Sequence, residues 1–146
     1  MASLENVIYC LNAERVVTEK GEIGSNINAL GILATITPEY VPGSFSFSVI
    51  FTVLGVDMLS AENTVQVKFC RADDDKVLID SGILPLPAMP DDAGIELPEE
   101  YKGLNMSMDC RNVVFESEGV YVARIYFNKE FLGEKKIYVK GKRMNG

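Results

Sequence analysis

Residues 44–53 read Ser-Phe-Ser-Phe-Ser-Val-Ile-Phe-Thr-Val. Side chains alternate across an extended strand with a period of two, so Phe45, Phe47, Val49, Phe51 and Val53 share one face, and Ser44, Ser46, Ser48, Ile50 and Thr52 share the other. The first face is apolar and the second is mostly small and polar. That contrast is the pattern of an antiparallel strand laid over a core with its back to water, the repeating unit of a sandwich or barrel.

The same signal recurs along the chain. Asn6 to Leu11 reads as a first strand, followed by a polar stretch from Ala13 to Gly24 with room for one helical turn. Ile27 to Thr37 is apolar and rich in β-branched residues, and Pro38 and Pro42 close it because proline has no donor for a continuing ladder. Gly31 inside it reads as a bulge. Thr64 to Arg71 alternates with Val65, Val67 and Phe69 inward and Thr64, Gln66, Lys68 and Cys70 outward. Ala72-Asp73-Asp74-Asp75 supplies a turn, and Lys76 to Asp80 returns. Residues 85–103 form a long acidic loop punctuated by Pro85, Pro87, Pro90 and Pro98, with at most a short helical turn near Glu99 to Lys102. Leu104 to Met108 and Asn112 to Phe115 are two short strands or one strand bent at Asp109-Cys110-Arg111. Val120 to Phe127 is a strong strand with Tyr121, Ala123, Ile125 and Phe127 inward, since the other register buries Arg124. Asn128-Lys129 fits a tight hairpin turn, and the return strand ends in Ile137-Tyr138-Val139 with Gly133 as a bulge. About eight or nine strands at this spacing predict a single immunoglobulin-like antiparallel β-sandwich over residues 1–146.

Length and composition fit that expectation. The chain has 146 residues, 47% of them apolar and 24% charged, enough for one domain that removes roughly 68–70% of its unfolded surface from water without disulfide or metal. Its net charge of −7 argues against nucleic acid, whose binding is driven by Lys and Arg displacing counterions from phosphates. The charge is uneven. Residues 73–100 hold nine acids against Lys76 alone, whereas residues 135–143 hold five cations and no acid. The first fifteen residues lack a basic segment ahead of an apolar core, so no secretion signal is expected, and no apolar run is long enough for a membrane span. Cys10, Cys70 and Cys110 are odd in number and widely spaced, which suits free thiols in a reducing cytoplasm.

The composition of the chain excludes several kinds of chemistry. The chain has no histidine, which removes Ser-His-Asp and Cys-His catalysis and imidazole zinc sites. Three scattered cysteines make no Cys-x-x-Cys pair, and Gly21-Glu22-Ile23-Gly24 is not a phosphate-cradling loop. No cofactor is implied. The sharpest alternative is calcium, because Asp73, Asp74 and Asp75 in one hairpin loop, with Asp91 and Asp92 in another, offer oxygen ligands at one end of a sandwich. The plainer reading is turn chemistry, in which Asp bonds its own backbone. Tyr121, just after Glu118-Gly119, fits a tyrosine corner, and Tyr126 and Tyr138 point outward on the terminal hairpin, where they pair across strands or form a contact patch.

Asn28-Ala29-Leu30-Gly31-Ile32, Pro42, Phe45-Ser46-Phe47, Phe115, Gly119-Val120-Tyr121, Leu132-Gly133 and Tyr138-Val139 occur in an order that resembles a group of short, uncharacterised bacterial proteins, some of them prophage-associated, of unknown function. The resemblance implies a β-sandwich and carries over no catalytic residue. The expectation is therefore a non-catalytic structural or protein-binding module, with a protein partner or a second copy of itself bound through a sheet edge or the terminal hairpin. A calcium-dependent binding module is the alternative.

Overall fold

The apolar face of 44–53 lies at the centre of the core. A computed structural model describes residues 2–17, 23–60, 62–88 and 97–143. In it β1 (Ser3–Val17), β2 (Ile23–Ile32), β4 (Gly43–Leu54) and β8 (Gly103–Phe115) form a four-stranded sheet in the order β2-β1-β4-β8. The second sheet has the order β3-β10-β9-β5-β6, built from β3 (Thr35–Ile36), β5 (Thr64–Arg71), β6 (Val77–Asp80), β9 (Gly119–Phe127) and β10 (Glu130–Val139). A short β7 (Leu84–Pro85) also pairs with β5, and a single 3-10 turn spans Glu99–Tyr101. The chain is thus the expected all-β sandwich.

Aromatic rings fill the space between the sheets. Phe47, Phe51, Phe69, Phe115, Tyr121 and Phe127 are all buried. Phe47 and Phe69 meet across the core at 5.1 Å between ring centroids, and Phe115 meets Tyr121 edge-to-face at 5.0 Å, a geometry that aligns a ring's positive edge with its neighbour's negative face. The Tyr121 hydroxyl donates to the Ser117 carbonyl at 2.8 Å, four residues upstream, which makes Tyr121 a tyrosine corner.

Tyr9 performs a different task. Its ring leaves β1 and crosses the core, and its hydroxyl accepts from the Ala123 amide at 3.0 Å and donates to the Lys135 carbonyl at 2.6 Å. Ala123 and Lys135 are register partners in β9 and β10. The Tyr9 hydroxyl therefore bridges the ladder of the opposite sheet at that pair and ties the two sheets together. Burial is the main cause that raises the pKa of this phenol well above its ordinary value.

Several local expectations hold. Asn128 and Lys129 both have left-handed backbone, with φ of 51° and 67°, as a two-residue hairpin turn requires. Leu132 is the extra residue of a bulge beside Gly133. Residues 104–115 form one strand rather than two. Arg111 and Asn112 together oppose Ser46 in a bulge, and the Ser46 hydroxyl accepts the Asn112 amide at 2.9 Å.

Other expectations are corrected. Residues 13–17 continue β1 instead of turning helically, because they pair with β2 (Ala13 opposite Ala29, Arg15 opposite Ile27). Residues 27–37 divide between β2 in one sheet and β3 in the other. Gly31 is not a bulge. Cys10–Ile32 and Asn12–Leu30 keep one register across it, and its φ of +69° belongs to a position where a Cβ would meet Leu11 Cδ1 at 2.8 Å. The sandwich is not wholly antiparallel either, since β3 runs parallel to β10 after the chain crosses between sheets.

The most consequential correction concerns Ser48 and Ile50. They lie on the outer face of the four-stranded sheet, yet both are buried, as is Cys10 opposite Ser48. β2 packs against β8, although the two strands stand at opposite edges of that sheet, and Arg15 donates to the Asn105 carbonyl of β8 at 3.3 Å. Beyond the Leu11–Gly31 bend, the β1–β2 hairpin therefore folds back as an arm over its own sheet. It covers the surface that the alternation assigns to water or to a second subunit.

Candidate binding surface

Asp73 and Asp74 both pair with Arg71, and Asp75 pairs with Arg124 at 2.7 Å. Asp74 also accepts the Lys76 amide, which is turn chemistry. Its hydrogen bonds from Arg71, then from that amide, hold its carboxyl well below the usual carboxylate range. Asp91 and Asp92 lie outside the described residues. Among the described residues no three acidic or thiol side chains are grouped to hold a metal ion. A calcium ion at the 73–75 turn would have to displace two guanidinium groups. Titration with millimolar calcium is accordingly expected to give neither heat of binding nor a rise in melting temperature, and a saturable heat would overturn this assignment of the three carboxylates.

On the outer face of the six-stranded sheet Cys70 and Val122 are buried, whereas Val120, Phe131 and Tyr138 are exposed. Cross-strand pairing puts Tyr126 of β9 beside Phe131 of β10 and beside Gln66 of β5, and puts Val120 beside Tyr138. The Tyr126 and Phe131 rings meet edge-to-face at 5.6 Å, and the Lys68 ammonium sits 5.3 Å from the centre of the Tyr126 ring, within cation–π range. Phe131 and Tyr138 are each 49% exposed. Tyr126 is thus held between a ring and a cation while its neighbours stay open to solvent. Both Tyr126 and Tyr138 lie on the side that alternation predicts, and the aromatic cluster adds Phe131, which the Asn128-Lys129 turn sets opposite Tyr126.

The charged groups of one cavity and the three thiols are engaged within the chain itself. A cavity of about 410 Å³ between β6 and β8 is lined by Arg71, Lys76, Arg111 and Glu116 over a floor that includes Tyr121. Its cations are paired within the chain: Arg71 with Asp73 and Asp74, Lys76 with Glu116, and Arg111 with Asp109. The three thiols are free and buried. Burial pushes Cys110 up to about 12, with the Asp109 charge adding to it, and burial raises Cys10 and Cys70 as well. Such thiols stay protonated near neutral pH and behave as small apolar core residues. Among the described residues, no helix is long and apolar enough to cross a membrane.

The model of a family of unknown function, DUF6941, matches residues 16–140. The chain belongs to that family. DUF6941 membership agrees with the resemblance to an uncharacterised β-sandwich group. No curated protein matches the sequence. Among solved structures, this DUF6941 chain is similar to an immunoglobulin-like protein from Pseudomonas aeruginosa, with a TM-score of 0.47, 9% identity and coverage of 96% of this chain and 97% of that one. It is also similar to part of the alkylpurine DNA glycosylase AlkC from Pseudomonas fluorescens, solved with DNA containing an abasic-site analogue. There the TM-score is 0.35 and the identity 14%, over 73% of this chain and 29% of the glycosylase. The DUF6941 chain thus spans less than a third of that enzyme's length.

Proposed function

We propose that this DUF6941 chain is a non-catalytic protein-binding module that engages its partner, another protein or a second copy, through the outer face of the six-stranded sheet. The observation that carries this reading is Tyr126 fixed between Phe131 and Lys68 on an outer face that also exposes Tyr138 and Val120. Aromatic side chains supply large contact area at low entropic cost when already held in place, and they are enriched in interface centres while scattered aliphatics are not. The lack of histidine in the chain and the engagement of Asp73, Asp74 and Asp75 by arginines support a role without catalysis. Three buried unpaired thiols support a reducing, cytoplasmic setting, and the sequence resemblance supports a bacterial, prophage-linked one.

The test is a paired measurement on wild type and on Phe131→Glu with Tyr138→Glu. Both positions are half exposed, so the double variant is expected to keep its melting temperature within a few degrees. Affinity capture from the source cell and sedimentation velocity over a micromolar concentration series are then compared. Loss of a captured protein, or of self-association, in the variant is the expected result. Unchanged capture together with an unchanged sedimentation coefficient would rule this face out as the binding surface.

A further inference from the structure

Another cavity has a different character from the ion-paired one between β6 and β8. It measures about 380 Å³ and opens between β8 and the segment of β5 and β7 facing it, at the small end of the range for ligand sites. Phe51, Val65, Val67 and Met106, all buried, contribute to its apolar lining together with Leu84 and Met108. Among the described residues, the charged side chain lining it is Arg15 alone. Arg15 makes no ion pair among the described residues, and its contact is a single hydrogen bond to the Asn105 carbonyl at 3.3 Å. A guanidinium has five donors in a planar fork, so most of them remain directed to solvent or to a ligand. Arg15 reaches this place only because the β1–β2 arm folds across the sheet.

We infer that this cleft binds a medium-chain alkyl carboxylate, with the chain between the two sheets and the carboxylate on Arg15. The charge decides the class. Arginine matches a carboxylate bidentately, the lining offers no acid among the described residues to hold an ammonium, and the apolar residues favour a hydrocarbon over a sugar or nucleotide. Methionine suits such a lining because its unbranched thioether adapts to flexible chains. The site is separate from the aromatic face and does not depend on that face binding a protein.

Isothermal titration of the full chain with sodium decanoate, decylamine hydrochloride and sodium octanoate tests the inference. Decanoate is expected to bind saturably and at least about tenfold more tightly than decylamine, as a hydrogen-bonded ion pair in a partly desolvated cleft implies. Shortening to octanoate is expected to weaken binding by about threefold to fourfold for each methylene removed. Arg15→Gln, an exposed substitution on the arm, is expected to lose about tenfold in decanoate affinity while its melting temperature stays unchanged. Met108→Trp, which fills the cleft, is expected to abolish binding with Arg15 intact. Phe131→Glu is expected to bind decanoate like wild type, which separates this site from the proposed protein-binding face. Absence of saturable decanoate binding, equal affinity for decanoate and decylamine, or an Arg15→Gln variant that binds like wild type would each overturn the assignment.

Discussion

Phe47→Asp is expected to leave no folded protein. Phe47 is completely buried, and its ring lies 5.1 Å from Phe69, 6.1 Å from Tyr9 and 6.4 Å from Phe115. Truncating such a ring to Ala alone removes about 3–5 kcal/mol. A carboxylate in its place adds the cost of an unpaired buried charge, several kcal/mol even after the group takes up a proton. Together these match or exceed a typical total stability of about 5–15 kcal/mol. Far-UV circular dichroism and a urea titration would show the loss directly. Ser46→Asp is the control one residue away. Ser46 faces outward and accepts the Asn112 amide of the β8 bulge, and a carboxylate can accept the same bond, so the change is expected to stay within about 1 kcal/mol of wild type. Similar behaviour of the two variants would mean that the facing of β4 is wrong. Ser48→Asp belongs with Phe47→Asp despite its outward facing, because Ser48 is buried and donates to Asp109 at 2.7 Å. A second carboxylate there would face the first.

Tyr9→Phe is expected to cost about 2–4 kcal/mol although it removes a single oxygen. The ring contacts survive. What disappears is the one atom that satisfies both the Ala123 amide and the Lys135 carbonyl, and a buried donor or acceptor left without a partner costs about 1–3 kcal/mol. The urea midpoint should fall with the slope of the transition unchanged. A loss below about 0.5 kcal/mol would mean that β9 and β10 close directly on each other once the hydroxyl is gone, and that Tyr9 is only a core ring.

Most of the sandwich was legible wherever a single strand carries its own pattern. The facing of Phe47 and Phe51 in β4, of Val65, Val67 and Phe69 in β5, and of Tyr121 to Phe127 in β9 follows from period-two alternation, which depends on neighbours two residues apart. The Asn128-Lys129 turn and the Tyr121 corner were legible because their chemistry is local. The candidate surface was half legible. Tyr126 and Tyr138 point outward by alternation and the Asn128-Lys129 turn sets Phe131 opposite Tyr126, whereas bringing Phe131 and Tyr138 onto one face needs the Leu132 bulge. Asp73 to Asp75 show the opposite case. As a run of acids they suggest a cation, but Arg71 and Arg124 reach them through packing, and Arg124 is 49 residues away in the chain.

The sequence by itself determined the class of architecture and what chemistry the chain lacks, because alternation and the absence of histidine are properties of residue order and composition. Only the tertiary structure decided which surface is open. Residues 11–17 and 23–31 carry no local sign that they fold back over Ser48 and Ile50, since that bend depends on Leu11 against Gly31 and on β2 finding β8 across the sheet. The same fold-back closes one outer face and brings Arg15 to the mouth of the apolar cleft.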